Sequence, residues 1–539
     1  MVFTLHRYIF REAFRVFVLA TVALTLILSL GMVLRPVQDY GVGPRQVIHL
    51  MVYFLPITLT FVLPIAALFA TTLVYGRFAA DNELDACKAS GISLLTLLYP
   101  GLALAIMVAI ANLLLSFHVM PAFVQRAEKS FKDDAKQILF RNIQRRGFYD
   151  LDGKYLIYAD NANLENETLT GVVITNVKDS RIEDVVLAER AKVRFNSNKR
   201  FNEVQITAHN IYQIGFDNEE WFDVESLSLT REFPPLMADR IKFKKIDEMK
   251  RIKVDLMRFY PIARKAHEVY TQFAAELLAQ DISGRIVDNT DRFYTLHSGE
   301  KFVEFTAAEC NSLDERKVEL FGDVAIYEYD SVIESDQVKR CLLRTLQCQR
   351  AMLYIEGEEF DPTVVMEMYN PSWRTPNGDE GRIAGRPRIR GLILPKAVTD
   401  RFETRDILRA VSTASIDSAL PEGPSIKLAG LQSELERRII VSLLEIRAEV
   451  HSRLVFGIGC LAMILIGVGL GILKKEGHLL SAFGISAIPS AVLIACIMSG
   501  KQISKNTEAN VGSGILLMWG GLVFLYILAG FIYHRLLKN

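Results

Sequence analysis

The chain has 539 residues, long enough for more than one packed unit. Lys plus Arg and Asp plus Glu both number 62, so the formal net charge is zero, and the basic excess that a nucleic-acid protein needs to displace counterions is missing. Half of the residues are apolar, but they are concentrated at the two ends and the middle reads as ordinary soluble protein.

Phe17 to Leu34 is almost wholly apolar and about long enough to cross hydrocarbon. Two more such runs follow at about Val52–Val74 and Leu94–Met120, and the last part of the chain supplies Leu454–Leu473, Leu479–Met498 and Val511–Tyr533. The first run has no small-residue cleavage site after it and leads straight towards a second, which argues against a removable signal. Basic residues near the span ends set the orientation. His6, Arg7, Arg11, Arg15, Arg77, Lys88, Lys474, Lys475, Arg535 and Lys538 outnumber Arg35, Arg45, Lys501 and Lys505 on the other side. Both termini are therefore expected in the cytoplasm and the long middle outside the inner membrane.

From Gly147 the pattern turns to short β-branched and aromatic segments such as Tyr155–Tyr158, Gly171–Thr175 and Val204–Thr207, which predict a sandwich or partly open barrel. Around Ile246–Gln280 the period becomes helical, with Met249, Ile252, Leu256, Phe259, Ala263, Ala266, Tyr270, Phe273 and Leu277 on one stripe and Pro261 kinking or splitting it. A second β-rich stretch runs from about Arg285 to Tyr369. Asn370 to Pro395, rich in Pro, Gly and Arg, is expected to be a loop, and helical patterning resumes near Arg405 and from Ile426. The expectation is an α+β membrane protein: six transmembrane helices, three and three, around two β units. Its predicted divisions are 1–125, 126–245, 246–425 and 426–539. Cys310, Cys341 and Cys348 share the second β unit, where one disulfide plus a thiol and three reduced cysteines are both open.

No phosphate-cradling Gly-rich loop, HExxH, CxxC or GxSxG is present, and His267-Glu268 has no second His at metal-ligand spacing. No catalytic residue, metal site or cofactor is expected on this chain. The loop Arg77–Ser93 between the second and third spans mixes charges and small residues. It suits a short interfacial helix capped by Asp81 or Asn82, which could transmit motion from a cytoplasmic partner; a solvated connector is the plainer alternative.

Arg77-Phe78-Ala79-Ala80-Asp81-Asn82-Glu83-Leu84, ending Ala89-Ser90-Gly91-Ile92-Ser93, resembles the coupling-helix motif of the LptF/LptG permeases, the membrane subunits of lipopolysaccharide-exporting ABC transporters. Arg7-Tyr8-Ile9-Phe10-Arg11-Glu12, Gly147-Phe148 with Leu156-Ile157-Tyr158 and Gly171-Val172-Val173-Ile174, and Ala448-Glu449-Val450-His451-Ser452-Arg453-Leu454 before Gly467-Val468-Gly469-Leu470-Gly471 are similar to other stretches of that family, in the same order. The resemblance covers about 1–235 and 430–539. Departures are Gly469 where the family has Pro, Val511-Gly512-Ser513 where it has a Pro-rich approach, and an extra segment at about Asp281 to Ser425. Within that segment Val318–Ile326 is faintly similar to the OstA/LptA/LptC jellyrolls.

The resemblance implies ATP and Mg on a separate LptB-like ATPase dimer, engaged through Arg77, Asp81, Glu83 and Leu84, with Ala89 to Gly91 turning into the third span. It implies a periplasmic β-jellyroll on the chain itself, a second permease half (the same chain or a different one), LptC/LptA-like periplasmic jellyroll partners, and lipopolysaccharide or a related glycolipid as cargo. Arg35, at the outer end of the first span, falls where the family has a lipid-contacting basic residue; Arg45, Arg126, Lys129 and Lys132 would complete a basic rim, each also readable as a snorkelling anchor. The rival readings are a membrane-anchored periplasmic binding or tethering protein, indifferent to Glu83→Ala, and an intramembrane lipid enzyme, which would need a polar cluster within the spans.

Overall fold

The computed structural model describes every residue except 1, 41–43, 152–154, 179–180, 197–201, 216–220, 234–239, 288–291, 300, 314–316, 335–336, 359, 384–385, 403–405, 421–422, 475–478, 507–510 and 539. The chain divides into two units, one of residues 1–138, 235–255 and 439–539, the other of 139–234 and 256–438.

The first unit is helical. The chain opens with α1 (Val2–Tyr40), α2 (Pro44–Ala80), the short α3 (Glu83–Ala89), α4 (Leu94–Leu114) and, past a π-helical turn at Leu115–Val119, α5 (Met120–Arg146). Among the described residues six helices are long and apolar enough to cross a membrane: Phe3–Gly31, Phe54–Ala80, Leu94–Glu128, Ile426–Lys474, Ala487–Lys505 and Gly512–Lys538. They bury one continuous core in which Ala66, Leu68, Tyr75, Leu97, Leu104, Cys460, Ile464 and Met518 are fully enclosed. Side chains such as Leu19, Ile27, Ile106, Leu516, Ile527 and Phe531 face outward, as hydrocarbon allows and water would not.

In the second unit β1 (Phe148–Leu151), β2 (Tyr155–Asn163), β3 (Thr168–Lys178), β4 (Arg181–Asn196), β5 (Asn202–Gly215) and β6 (Trp221–Phe233) form an antiparallel meander, each pairing with the next. The period-two pattern fixes its register. Ile157 lies opposite Ile174 and that opposite Val186, while Ala159, Val172, Ala188 and Ile211 form the neighbouring row. Leu139, Phe140 and Ile143 of α5 pack on these rows.

Next come α6 (Ile246–Val254), which is part of the helical unit, and α7 (Tyr260–Ile282). Pro261 sits in the first turn of α7, where its missing N–H is not needed, so the predicted stripe is split rather than kinked. α7 is buried almost all round and touches the second sheet. That sheet holds β7 (Tyr294–Ser298), β8 (Lys301–Thr306), β9 (Glu309–Leu313), β10 (Lys317–Glu334), β11 (Gln337–Glu358), β12 (Asp361–Met368), β13 (Ser372–Arg374), β14 (Glu380–Arg382) and β15 (Arg388–Ile393). Pairings β10–β11–β12–β15–β7–β8–β10 close on themselves, so this part is a barrel, and β9, β13 and β14 extend it. The expected loop at 370–395 is thus corrected: it holds three short strands, because β11 and β12 offer open edges to β13 and β15, and β13 in turn pairs with β14.

After α8 (Lys396–Thr399), α9 (Ile407–Ala410) and α10 (Thr413–Ala419), α11 (Ile426–Lys474) runs 49 residues, so the expected linker helix and fourth span are one helix. α12 (Leu479–Lys505) and α13 (Val511–Lys538) complete the chain. The six cysteines are all free. Burial pushes the Cys310 thiol up to about 12 and the Cys348 thiol up to about 11, whereas Cys341 is exposed.

Candidate functional site

The connector between α2 and α4 is built turn by turn. α2 ends at Ala80, and the next turn is made by Asn82 in the left-handed region, at φ 57°. Asn82 is the residue before α3, but its side chain makes no capping bond, and Asp81 instead lies 3.8 Å from Arg77. The predicted side-chain cap is therefore corrected. A left-handed Asn turns the chain too sharply for its amide to reach back to the α3 N–H groups, and the acidic Glu83 and Asp85 complement the helix start in its place.

α3 ends on a paired closure in which the N–H of Gly91 donates to the Lys88 carbonyl at 3.0 Å and that of Ile92 to the Cys87 carbonyl at 3.1 Å. This pattern needs a left-handed residue, which Gly91 supplies at φ 79°. Ser93 then caps α4 by accepting from the Thr96 N–H at 3.3 Å. Leu84 is buried in the helical core, with Cys87 and Ile92 packed against it, while Glu83, Asp85, Lys88 and Ala89 stay exposed. α3 thus sits on the bundle with one apolar face in and one charged face out.

Beside it lies an open cavity of about 380 Å³, lined by Tyr8, Glu12 and Val16 of α1, Leu73, Val74, Arg77 and Phe78 of α2, and Asp81 and Glu83. Tyr8 meets Phe78 edge to face at 5.6 Å. Three carboxylates against one guanidinium leave this groove acidic. The Arg77–Asp81 pair is solvent-exposed and holds little energy, so both groups are available to a partner.

A second polar group lies where α11 turns apolar. Arg453 donates to Glu449 at 3.0 Å and to the Lys242 carbonyl at 2.8 Å, and Lys501 of α12 donates to the other Glu449 oxygen. The Glu449 and Arg453 side chains are 7% and 3% exposed. Lys505 pairs with Glu445 at 2.7 Å, and the Arg453 guanidinium lies 5.6 Å from the Phe117 ring centre. Burial, and then the charges of Arg240, Lys501 and Lys505, pull the Lys242 ammonium below its ordinary range. Arg240, Lys242, Arg453, Lys501 and Lys505 surround Glu445 and Glu449, so cations outnumber carboxylates here.

Residues 7–254 and 320–535 match the family described as lipopolysaccharide export system permease LptF/LptG. The chain belongs to this family. No curated protein matches it. Family membership makes it a multi-pass membrane protein and a transport subunit, the permease of a lipopolysaccharide export system, and not an enzyme. The LptF/LptG match resumes at 320, so the stretch it leaves out is 255–319, shorter than the extra segment expected at 281–425.

Of the residues predicted to couple this LptF/LptG chain to an ATPase, Arg77, Asp81 and Glu83 line one groove, Leu84 anchors α3 beside it, and Ala89 and Gly91 form its closing turn. Of the predicted lipid contacts, Arg126 is exposed with its guanidinium 5.8 Å from the Phe123 ring centre. The side chains of Arg35, Arg45 and Lys129 lie outside the described residues. The Glu449 group was missed, although Glu449 and Arg453 stand at helical i, i+4 spacing just before an apolar run, which is a readable signal.

Proposed function

We propose that this chain is one half of a lipopolysaccharide-exporting ABC permease, driven by an LptB-like ATPase pair through α3. The observation that carries the reading is α3 itself: Leu84 rooted in the bundle core, Glu83 and Asp85 presented outward, and an acidic groove alongside. A partner helix or loop with basic residues would bury the rings of Tyr8 and Phe78 and pair with Glu12, Asp81 and Glu83. ATP and Mg would bind the partner. The α3 end would face the cytoplasm, and the β-rich unit would stand in the periplasm, where LptC/LptA-like jellyroll proteins would receive the lipid. Arg35, Arg45, Arg126 and Lys129 would meet its phosphates at the outer rim.

Affinity purification from native membranes in mild detergent tests the reading. Wild-type chain is expected to bring down an ATPase, and Glu83→Lys to lose at least nine-tenths of it while the permease stays folded. An intact chain with no ATPase would sink the transport reading and favour the tethering alternative.

Topology has its own check. In a background with the other cysteines replaced by serine, Cys341 is the exposed thiol of the β-rich unit. A membrane-impermeant maleimide should label it in spheroplasts without lysis. Labelling only after lysis would put that unit in the cytoplasm and overturn the proposed orientation.

A further inference from the structure

Tyr75 is wholly buried in the helical core about two turns before α3, yet it carries a polar hydroxyl that an apolar residue would not need. That hydroxyl donates to the Leu97 carbonyl at 3.0 Å and accepts from the Gly101 N–H at 3.2 Å. Leu97 and Gly101 are four apart on α4, so they are the carbonyl and N–H that an uninterrupted α-helical turn pairs with each other. Pro100, between them, lacks an N–H and already weakens that turn. Tyr75 therefore stitches the end of α2 into the backbone ladder of α4 at its softest point.

The surroundings make this junction rigid. A Cβ on Gly101 would stand 2.9 Å from Val468 of α11 and 3.2 Å from the Tyr75 hydroxyl. One on Gly471 would stand 2.7 Å from the Thr72 carbonyl and 2.9 Å from the Gly76 nitrogen. Gly471 thus brings the α11 backbone against that of α2, and Gly101 lets Val468 of α11 and the Tyr75 phenol pack directly on the α4 backbone. An unsatisfied hydroxyl in hydrocarbon is costly, so sliding that breaks both bonds is opposed.

We infer that Tyr75 is a positioning residue for energy coupling: it fastens α2, α4 and α11 into one body, so that a push on α3 moves the bundle instead of being absorbed at the α2–α4 junction. The inference rests on the permease reading above. Its test is Tyr75→Phe, which keeps the ring packing and removes only the hydroxyl. The whole complex, with its co-purified ATPase and second permease half, is reconstituted in liposomes containing lipopolysaccharide, and lipid extracted is measured per ATP hydrolysed. Tyr75→Phe is expected to bind as much ATPase as wild type and hydrolyse ATP within twofold of it, while lipid moved per ATP falls at least fivefold. A purely structural role would lower both activities together with the amount of intact complex. Spin labels on Ala86→Cys of α3 and Leu102→Cys of α4, both exposed in the native chain, give a second readout. Their separation should stay fixed through the nucleotide cycle in wild type and vary in Tyr75→Phe. An unchanged lipid-to-ATP ratio, or a fixed separation in both, overturns the inference. If wild type recovers no ATPase, the permease reading is what has failed, and the coupling role of Tyr75 falls with it.

Discussion

Glu449→Gln is expected to lower the stability of the helical unit by about 3–5 kcal/mol, the range for breaking a buried ion pair from one side. The substitution keeps the shape of the side chain and removes only its charge. Arg453, 3% exposed, and Lys501, 25% exposed, would then share one enclosed site with no carboxylate between them. Arg453 cannot reach water without pulling the Lys242 segment away, because it also holds the Lys242 carbonyl, whereas Lys501 is already partly exposed. Thermal unfolding of the purified protein in detergent measures the loss. Adding Lys501→Met should recover part of it, since replacing both partners of a buried pair is often close to neutral. A Glu449→Gln protein within about 0.5 kcal/mol of wild type, the scatter of ordinary surface changes, would mean that the group is solvated and holds nothing together.

The second large effect is expected at Gly471. Valine there puts its first carbon 2.7 Å from the Thr72 carbonyl and 2.9 Å from the Gly76 nitrogen, and both obstacles are backbone. Side chains can rotate away from an intruder; a helix backbone must move as a whole. Overpacking of this kind costs about 1–3 kcal/mol for the first added groups, and the branched methyls of valine push it to the top of that range or above. Gly530 is the control, since a Cβ there meets nothing within 4 Å. Gly530→Ala should be neutral or slightly stabilising through helix propensity. Thermal midpoints and the yield of folded protein from membranes separate the two. Equal behaviour of the two variants would contradict the close α2–α11 contact.

The spans were legible because a run of eighteen or so apolar residues has few alternatives to crossing a bilayer. The place of α3 was legible from charge followed by small residues, yet its cap was not: whether Asn82 caps with its side chain or turns left-handed depends on how α2 ends, which local spacing does not encode. The short strands at 372–374, 380–382 and 388–393 were hidden for a similar reason. Their own residues favour turns, and only the neighbouring edges of β11 and β12, and of β13 for 380–382, make strands of them. Glu449 and Arg453 show their i, i+4 spacing in the sequence, but Lys501 and Lys242 lie far from them along the chain, so no window could join the whole group. The groove beside α3 needs α1 packed against α2, and that too is a long-range fact.

The π-helical turn at Leu115–Val119 settles a counting problem. Val108, Asn112, Ser116, Met120 and Val124 are all buried, and they follow one another in fours. A helix with 3.6 residues per turn overshoots by about 40° at each such step, so over this stretch a regular helix would swing its buried stripe far round towards the lipid. A wide turn holds one residue more than usual and gives back about 100° of that swing. The helix thus carries the mark of a single inserted residue, with the outer part of the core packed to suit it. Losing one residue there would leave the sequence almost unchanged and aim Met120 and Val124 away from their partners. Length, at this point of the chain, is as tightly constrained as chemistry.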